Sequence, residues 1–133
     1  MARKINKLIV HCSDSEFGCV ELIREWHVAD RGFDDIGYHR IITNGVLKAH
    51  RLYQSCIDGH VEQGRPDDIP GAHCNGENHD SLGVCLVGKT HFTARQLYRA
   101  LPDCLIELLK KHNLTPAEVY GHYEFTSAKT CPN

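Results

Sequence analysis

The sequence predicts an α/β fold in which a single mixed β-sheet is flanked by helices. The segment from Ser81 to Gly88 is almost continuously apolar, which is typical of a central strand covered on both faces. Two segments with helical spacing of apolar residues, Glu21 to His27 and Ala94 to His112, alternate with strand-like segments. Turn signals at Asn44-Gly45 and Asp58-Gly59 indicate antiparallel strands beside this centre.

The N-terminal third of the chain predicts a strand followed by a helix. Lys7 to His11 is dominated by apolar residues and should form a buried strand. The helix over Glu21 to His27 places its leucine, isoleucine and tryptophan on one face. Arg31-Gly32-Phe33 should end this helix.

The middle of the chain predicts a meander of antiparallel strands. Tyr38 to Thr43 has the composition of a strand, and Val46 to Tyr53 should return beside it after the Asn44-Gly45 turn. The Asp58-Gly59 turn then precedes another strand-like segment, which ends at Gln63. A polar loop rich in glycine, proline and asparagine follows, from Gly64 to Asp80.

The C-terminal part predicts one long helix and a last strand. Thr93 should cap the helix from Ala94 to His112. Its inner stripe is predicted to consist of Leu97, Leu101, Leu105, Leu108 and Leu109. Thr115 to Glu118 should form a short helical turn, and Val119 to Gly121 a final strand.

Length and charge limit the class of protein. A chain of 133 residues without a visible linker or repeat predicts one domain, residues 1–133. The net charge of −2 argues against a nucleic-acid partner, because phosphate binding needs a basic surface. No segment is apolar enough to predict membrane insertion, and the apolar run after the basic N-terminus is too short for a signal peptide. We therefore expect a monomer that is made in the cytoplasm.

Seven cysteines are a high number for a chain of this size. The number is odd and no CxxC pair occurs, so without a signal peptide reduced thiols are expected. Cys85 and Cys104 lie in apolar runs and should behave as small buried hydrophobic residues. Ten histidines are also present, so only position and partners can distinguish a ligand histidine from the others.

Three residues of metal-ligating type stand at the ends of apolar runs or shortly after one. His11 follows the first strand, His122 follows the last strand, and Cys131 comes after a short loop. If the two strands are neighbours, the two histidines lie about 5 Å apart. A thiolate and two neutral imidazoles suit zinc, and three protein ligands leave the fourth position of a catalytic site to water. For any one of these histidines alone, a structural role is the more common alternative.

Lys129 lies two residues before Cys131. In an extended chain both side chains point the same way, so a metal-bound Cys131 would bring Lys129 to the same site. A cation there would stabilise the oxyanion of a tetrahedral intermediate and help to keep Cys131 as thiolate. The alternative is a solvated lysine on the surface.

Motifs in the same order over nearly the whole chain resemble a known family. They are Ile9-Val10-His11-Cys12-Ser13, Gly37-Tyr38-His39-Arg40-Ile41-Ile42, the segment from Gly71 to Gly88, Gly121-His122-Tyr123-Glu124 and Lys129-Thr130-Cys131-Pro132. They resemble the zinc-dependent N-acetylmuramoyl-L-alanine amidases, which include small phage lysozymes of amidase type and peptidoglycan recognition proteins. The resemblance implies that His11, His122 and Cys131 are zinc ligands and that Tyr38 and Lys129 are the catalytic pair.

These implied roles agree with the chemistry of the residues. Zinc lowers the pKa of its bound water towards about 7 and polarises the scissile carbonyl. Tyr38 can donate a hydrogen bond to the water or to the developing oxyanion, although an inward core aromatic is the alternative. His39 should point to the opposite face of the strand, so we expect only Tyr38 to face the metal.

The loop from Gly71 to Asp80 resembles the substrate groove of the family. We expect His73 and Asn78 to contact the glycan or the stem peptide, although a polar loop without a ligand is the alternative. Arg65 is a further candidate, for a peptide carboxylate.

The resemblance implies hydrolysis of the amide bond between N-acetylmuramic acid and L-alanine in peptidoglycan. The setting would be a phage or prophage endolysin that reaches the cell wall by holin-type release or by export through a secretion system. An amidase toxin secreted against rival bacteria would use the same chemistry. A non-catalytic peptidoglycan-binding module is disfavoured because such modules typically lack the ligand cysteine, and Cys131 is present. A cysteine hydrolase using Cys12 or Cys131 is disfavoured because neither stands at a helix start.

Overall fold

One mixed sheet organises the part of the chain that the computed structural model describes, residues 3–126 and 131. Its strands are β1 (Lys7–Cys12), β2 (Arg40–Asn44), β3 (Asp58–Gln63), β4 (Ser81–Leu86) and β5 (Val119–Gly121). They lie in the order β3-β2-β4-β1-β5. β4 and β5 pair in parallel with β1, β2 pairs in parallel with β4, and β3 runs antiparallel to β2. The predicted α/β class with a single mixed sheet is confirmed.

Helices cover both faces of the sheet, and all residues of β4 are buried between them. Helix α1 (Val20–Glu25) continues through a wider turn, Trp26–Asp30, and packs Val20 and Ile23 into a core cluster on one face. Helix α2 (Leu101–Lys111) packs on the other face, where Cys104 and Leu108 meet β1 and β4. β4 is therefore the central strand that its continuous apolar sequence predicts.

Residues 45–54 form a loop that leads into a short 3-10 helix, Ser55–Ile57, so the predicted return strand over Val46 to Tyr53 is wrong. The Asn44 side-chain oxygen accepts a hydrogen bond from the Val46 N–H at 3.0 Å, which turns the chain. His50 has a positive φ of 61°, and Leu52 is 86% exposed. The apolar residues of this loop therefore have no common buried face that would hold them in a strand. The strand that pairs with β2 is β3.

The start of the long helical segment is capped as predicted, but its inner stripe differs. Thr93 Oγ1 accepts from the Gln96 N–H at 3.1 Å, and Gln96 Oε1 accepts from the Thr93 N–H at 2.9 Å. A widened turn, Gln96–Ala100, precedes α2 and changes the helical register. Leu97 is therefore 38% exposed, and its predicted place in the stripe is wrong. Gln96 is buried instead, and its amide donates to the carbonyls of Ile42 and Val87 at 3.0 and 2.8 Å.

Cysteine burial agrees with the sequence. Cys85 and Cys104 are buried, as predicted. None of the seven cysteines, all of which lie in the described part of the chain, forms a disulfide bond. Across residues 3–126 and 131, no helix has the length and apolarity that crossing a bilayer would need.

Candidate metal centre

The carboxyl ends of β1 and β5 bring together three side chains of metal-ligating type. Val10 is paired with Gly121 across the two parallel strands, so His11 and His122 follow at the same level. Their ring centroids are 4.5 Å apart. Cys131 is held beside them, because its Sγ accepts a hydrogen bond from the backbone N–H of Cys12 at 2.7 Å. One ligand atom from each of His11, His122 and Cys131 lies within 4.8 Å of the other two.

The three side chains fit a zinc ion. Two imidazole nitrogens and one thiolate sulfur are typical zinc ligands. Ligand atoms around a tetrahedral zinc are about 3.3–3.8 Å apart, given its bond lengths, so small side-chain movements would complete this geometry. A fourth protein ligand is not needed, since catalytic zinc sites leave that position to water or substrate.

The protonation states of two of these groups depend on burial and on neighbours. Burial lowers the pKa of His11 well below its ordinary value, and the nearby His73 and His122 add to this shift. The ring is therefore neutral, as a metal ligand must be. A side-chain hydrogen bond with Cys12, followed by burial, raises the pKa of the Cys131 thiol. Metal binding would therefore have to displace a proton from this thiol.

Tyr38 lies beside His11, in the segment that precedes β2. Its ring centroid is 5.1 Å from that of His11 and 5.4 Å from that of His27. Burial raises the pKa of the Tyr38 phenol, so the hydroxyl keeps its proton and can donate a hydrogen bond. His39 has other partners, because its Nδ1 accepts from the Gly83 N–H at 3.0 Å and its Nε2 donates to the Ile69 carbonyl at 2.8 Å.

A cavity of about 470 Å³ opens beside His122. His73 and Asn78, the predicted substrate contacts, both line it. The His73 ring is buried and its Nδ1 lies 2.8 Å from Nε2 of His11. The Asn78 side-chain oxygen accepts from the backbone N–H groups of His73 and Cys74, both at 2.9 Å. Both residues therefore shape the wall of the cavity, and their contact with substrate stays a prediction.

Arg65 has other partners than the three side chains of this cluster. The Arg65 guanidinium donates to the backbone carbonyls of Asp35, Ile36 and Pro70 at 3.0, 2.9 and 2.7 Å. These bonds tie neighbouring loops together, so they do not favour the predicted role with a substrate carboxylate. Lys129 lies outside the described residues.

Several residues that form this site were not singled out from the sequence pattern alone. Arg31 and Phe33 line the cavity, although they were assigned only to the end of a helix. Gly83 lies under the His73 ring, where an added Cβ would come within 2.6 Å of the His73 Cγ. A glycine inside an apolar strand is a recognised signal of such a close approach, so the sequence contained this information.

Two buried histidines near the site should make the metal-free protein sensitive to acid. Burial lowers the pKa of His27 and of His39 to about 4, and each Nδ1 accepts a backbone N–H. In the unfolded chain a histidine titrates near about 6.5. Below that pH the unfolded state binds protons that the folded state does not, so the free energy of unfolding should fall from about pH 6.5 to about pH 4. Each ring contributes a slope of up to about 1.4 kcal/mol per pH unit.

Denaturant unfolding of the chelator-treated protein at several pH values between 7 and 4.5 measures this slope. His27→Gln should reduce it, because one of the rings whose pKa is lowered by burial is then absent. A free energy of unfolding that stays constant over this range would contradict the prediction.

The chain is similar in sequence to known proteins. The family model described as N-acetylmuramoyl-L-alanine amidase matches residues 1–133. The endolysin of Escherichia phage T7 is 36% identical over an aligned length of 137 residues. The alignment covers 95% of this chain and 79% of that protein. The endolysin of Klebsiella phage KP32 is 34% identical over 142 residues, which cover 98% of this chain and 82% of that protein.

Solved structures show the same fold. The N-acetylmuramoyl-L-alanine amidase LysC from Clostridium intestinale superposes with a TM-score of 0.78 at 24% identity, covering 98% of this chain and 78% of that chain. Drosophila PGRP-LB superposes with a TM-score of 0.74 at 23% identity, covering 98% and 75% of the two chains. From the family match and the phage relatives, the chain belongs to the N-acetylmuramoyl-L-alanine amidase family and is an enzyme of that family, a peptidoglycan amidase.

Proposed function

We propose that this protein is a zinc-dependent endolysin of a phage or prophage. It hydrolyses the amide bond between N-acetylmuramic acid and L-alanine. The observation that carries the proposal is the cluster of His11, His122 and Cys131 beside an open cavity. Membership of the amidase family and the phage endolysin relatives support the same reading.

In this proposal His11, His122 and Cys131 hold the zinc ion. Zinc bound there supplies a Lewis acid that activates water and polarises the scissile carbonyl. The neutral His11 ring offers a lone pair without a prior deprotonation, whereas Cys131 gives up its proton on binding. The cavity beside His122 leaves room for the substrate on the open side of the site.

Tyr38 and Lys129 act on the developing charge. The Tyr38 hydroxyl keeps its proton and donates a hydrogen bond towards the oxyanion, which its position against His11 supports. The role of Lys129 as a cation near the oxyanion follows from the family resemblance and from its two-residue spacing to Cys131.

The substrate of this proposal is peptidoglycan, with the glycan strand and the stem peptide in the cavity. His73, Asn78 and Arg31 line this cavity. We further propose that residues 1–133 act as one catalytic domain and as a monomer, without nucleic acid and without membrane insertion. The protein then acts on the cell wall after release from the cytoplasm.

Two alternatives remain distinct from this proposal. A non-catalytic peptidoglycan-binding module would not need a thiol beside two histidines, so the placement of Cys131 disfavours it. A secreted amidase toxin would use the same site and differ only in biological setting. Bacterial lysis from inside an expressing cell, with and without a co-expressed holin, separates an endolysin from an exported toxin.

Digestion of purified peptidoglycan should release stem peptides with new L-alanine amino termini and no new reducing sugar ends. This follows from hydrolysis at the lactyl amide, which leaves every glycosidic bond intact. Mass analysis of the released fragments, with separate assays of free amines and reducing ends, measures the outcome.

Two results would contradict this assignment. New reducing ends without free amines would show a glycosidase. Activity that persists in chelator would show that no metal is needed, whereas we expect chelator to stop the reaction and added zinc to restore it.

A further inference from the structure

A chain of buried hydrogen bonds leads from a backbone carbonyl to the ring of His11. Ser81 Oγ lies 2.7 Å from the Glu77 carbonyl oxygen and 3.2 Å from Nε2 of His73. His73 Nδ1 lies 2.8 Å from Nε2 of His11. Ser81, His73 and His11 are all buried, so water does not compete for these bonds.

The direction of each bond in this chain follows from its carbonyl end. A carbonyl oxygen only accepts, so the Ser81 hydroxyl must donate its single proton to Glu77. Ser81 Oγ can then only accept from His73, which places a proton on His73 Nε2. A neutral imidazole carries one N–H, so His73 Nδ1 is an acceptor and the proton between the rings belongs to Nε2 of His11.

Packing holds the His73 ring in the position that these hydrogen bonds need. His73 lies over Gly83 of β4, where no Cβ would fit, and its own backbone N–H donates to the Asn78 side chain at 2.9 Å. Gly71 is equally close, since a Cβ there would lie 2.7 Å from His73 Cδ2. The His73 ring therefore has little freedom to turn away from His11.

We propose that His73 and Ser81 are positioning residues that hold His11 as its Nε2–H tautomer. Nδ1 of His11 then keeps its lone pair and is the nitrogen offered to the metal. This inference rests on the proposed function, because it takes His11 as a zinc ligand. It also gives His73 a task other than the substrate contact that its loop suggested.

The expected effect is on metal affinity. Partners that hydrogen-bond a metal-ligating histidine typically change metal affinity about 10- to 100-fold when they are removed. His73→Leu removes the acceptor and should weaken zinc binding by about this factor. His73→Asn keeps an oxygen acceptor near the position of Nδ1 and should recover most of the affinity. Ser81→Ala removes the acceptor for His73 and should weaken zinc binding in the same direction, but less.

Nitrogen NMR of the histidine-labelled wild-type protein without zinc tests the tautomers directly. We expect a protonated Nε2 and an unprotonated Nδ1 for His11, and a protonated Nε2 for His73. A proton on Nδ1 of either ring would overturn the proposal. This measurement needs neither a mutation nor a bound metal.

Competition against a chromophoric chelator measures the zinc affinity of each variant. His27→Leu is the matched control, because it also removes a buried ring whose Nδ1 accepts a hydrogen bond, here from Gly37 at 2.8 Å. It should lower the thermal stability of the metal-free protein and leave zinc affinity unchanged. Equal zinc affinity in wild type and His73→Leu would overturn the proposal, as would an equal loss in His27→Leu.

The outcomes separate this inference from the proposed function. If the wild-type protein binds no zinc, the proposed function fails. The tautomers measured by NMR still decide whether the hydrogen bonds from Ser81 through His73 to His11 exist. If the wild type binds zinc but His11 carries its proton on Nδ1, only the positioning role fails. Should His73→Leu not fold, Ser81→Ala and the wild-type spectrum decide between the two outcomes.

Discussion

Replacing Cys131 with alanine should abolish peptidoglycan hydrolysis and remove most of the bound zinc. The Cys131 sulfur lies within 4.8 Å of a ring nitrogen of His11 and of His122. Among the described residues, Cys131 is the only cysteine in this cluster. A metal that polarises a carbonyl contributes several kcal/mol to the transition state. Because about 1.4 kcal/mol is a factor of ten in rate, the loss should be about 1000-fold or more.

Metal analysis of protein purified without added zinc, together with the clearing rate of a cell-wall suspension, measures both effects. His11→Ala and His122→Ala should behave in the same way. Cys56→Ala is the matched control, because Cys56 is exposed and should influence neither zinc content nor rate. Full zinc content and full activity in Cys131→Ala would refute the ligand assignment.

Tyr38→Phe should keep the zinc and lose about 100- to 1000-fold in turnover. In the proposed mechanism its hydroxyl donates to the charge that develops in the transition state, and removal of one such donor has an effect of this size. Binding of uncut peptidoglycan should change much less, because this interaction strengthens only as charge develops. Lys129→Ala should show the same pattern if its cation acts on the same oxyanion.

Single-turnover rates, zinc content and wall binding must be measured on the same protein samples. Tyr53→Phe is the control, since the exposed Tyr53 loses only a hydrogen bond to Asp58. A wild-type rate in Tyr38→Phe would leave the ring as a packing residue beside His11, and a wild-type rate in Lys129→Ala would make that charge a surface feature. His39→Ala should act mainly on stability, because both of its ring nitrogens hydrogen-bond the backbone.

The sequence by itself determined the central strand of the sheet and the residue types of the candidate metal centre. Residues 82–86 are apolar because both faces of β4 are covered, and β1 carries a similar apolar run over residues 8–10. A buried strand needs such residues whatever its partners are, so the pattern survives in the sequence. The two histidines of the candidate metal centre could also be recognised in the sequence, because each follows directly after an apolar strand segment.

Only the tertiary structure decided which of these local patterns meet. The segment from Val46 to Tyr53 has a strand-like composition, yet it forms a loop because its apolar residues find no surface to cover. Leu97 fits a helical stripe, but a widened turn exposes it and buries Gln96 against two strand carbonyls. Local sequence indicates which secondary structure and burial a residue favours. It does not indicate which distant residue it will contact.

At the candidate metal centre, too, the sequence determines the residue types and the tertiary structure determines their partners. His73 belongs to a polar loop whose sequence suggests contact with a ligand, and its ring is nevertheless buried against His11 and Ser81. The sequence suggests Arg65 as a partner for a peptide carboxylate, and in the structure its guanidinium donates to three backbone carbonyls. Hydrogen bonds between residues that are 60 or more positions apart, such as that between His11 and His73, exist only after the chain has folded. The sequence therefore determined which groups the protein has. The tertiary structure decided that the His73 ring packs on β4 and that the Arg65 guanidinium bonds loop carbonyls.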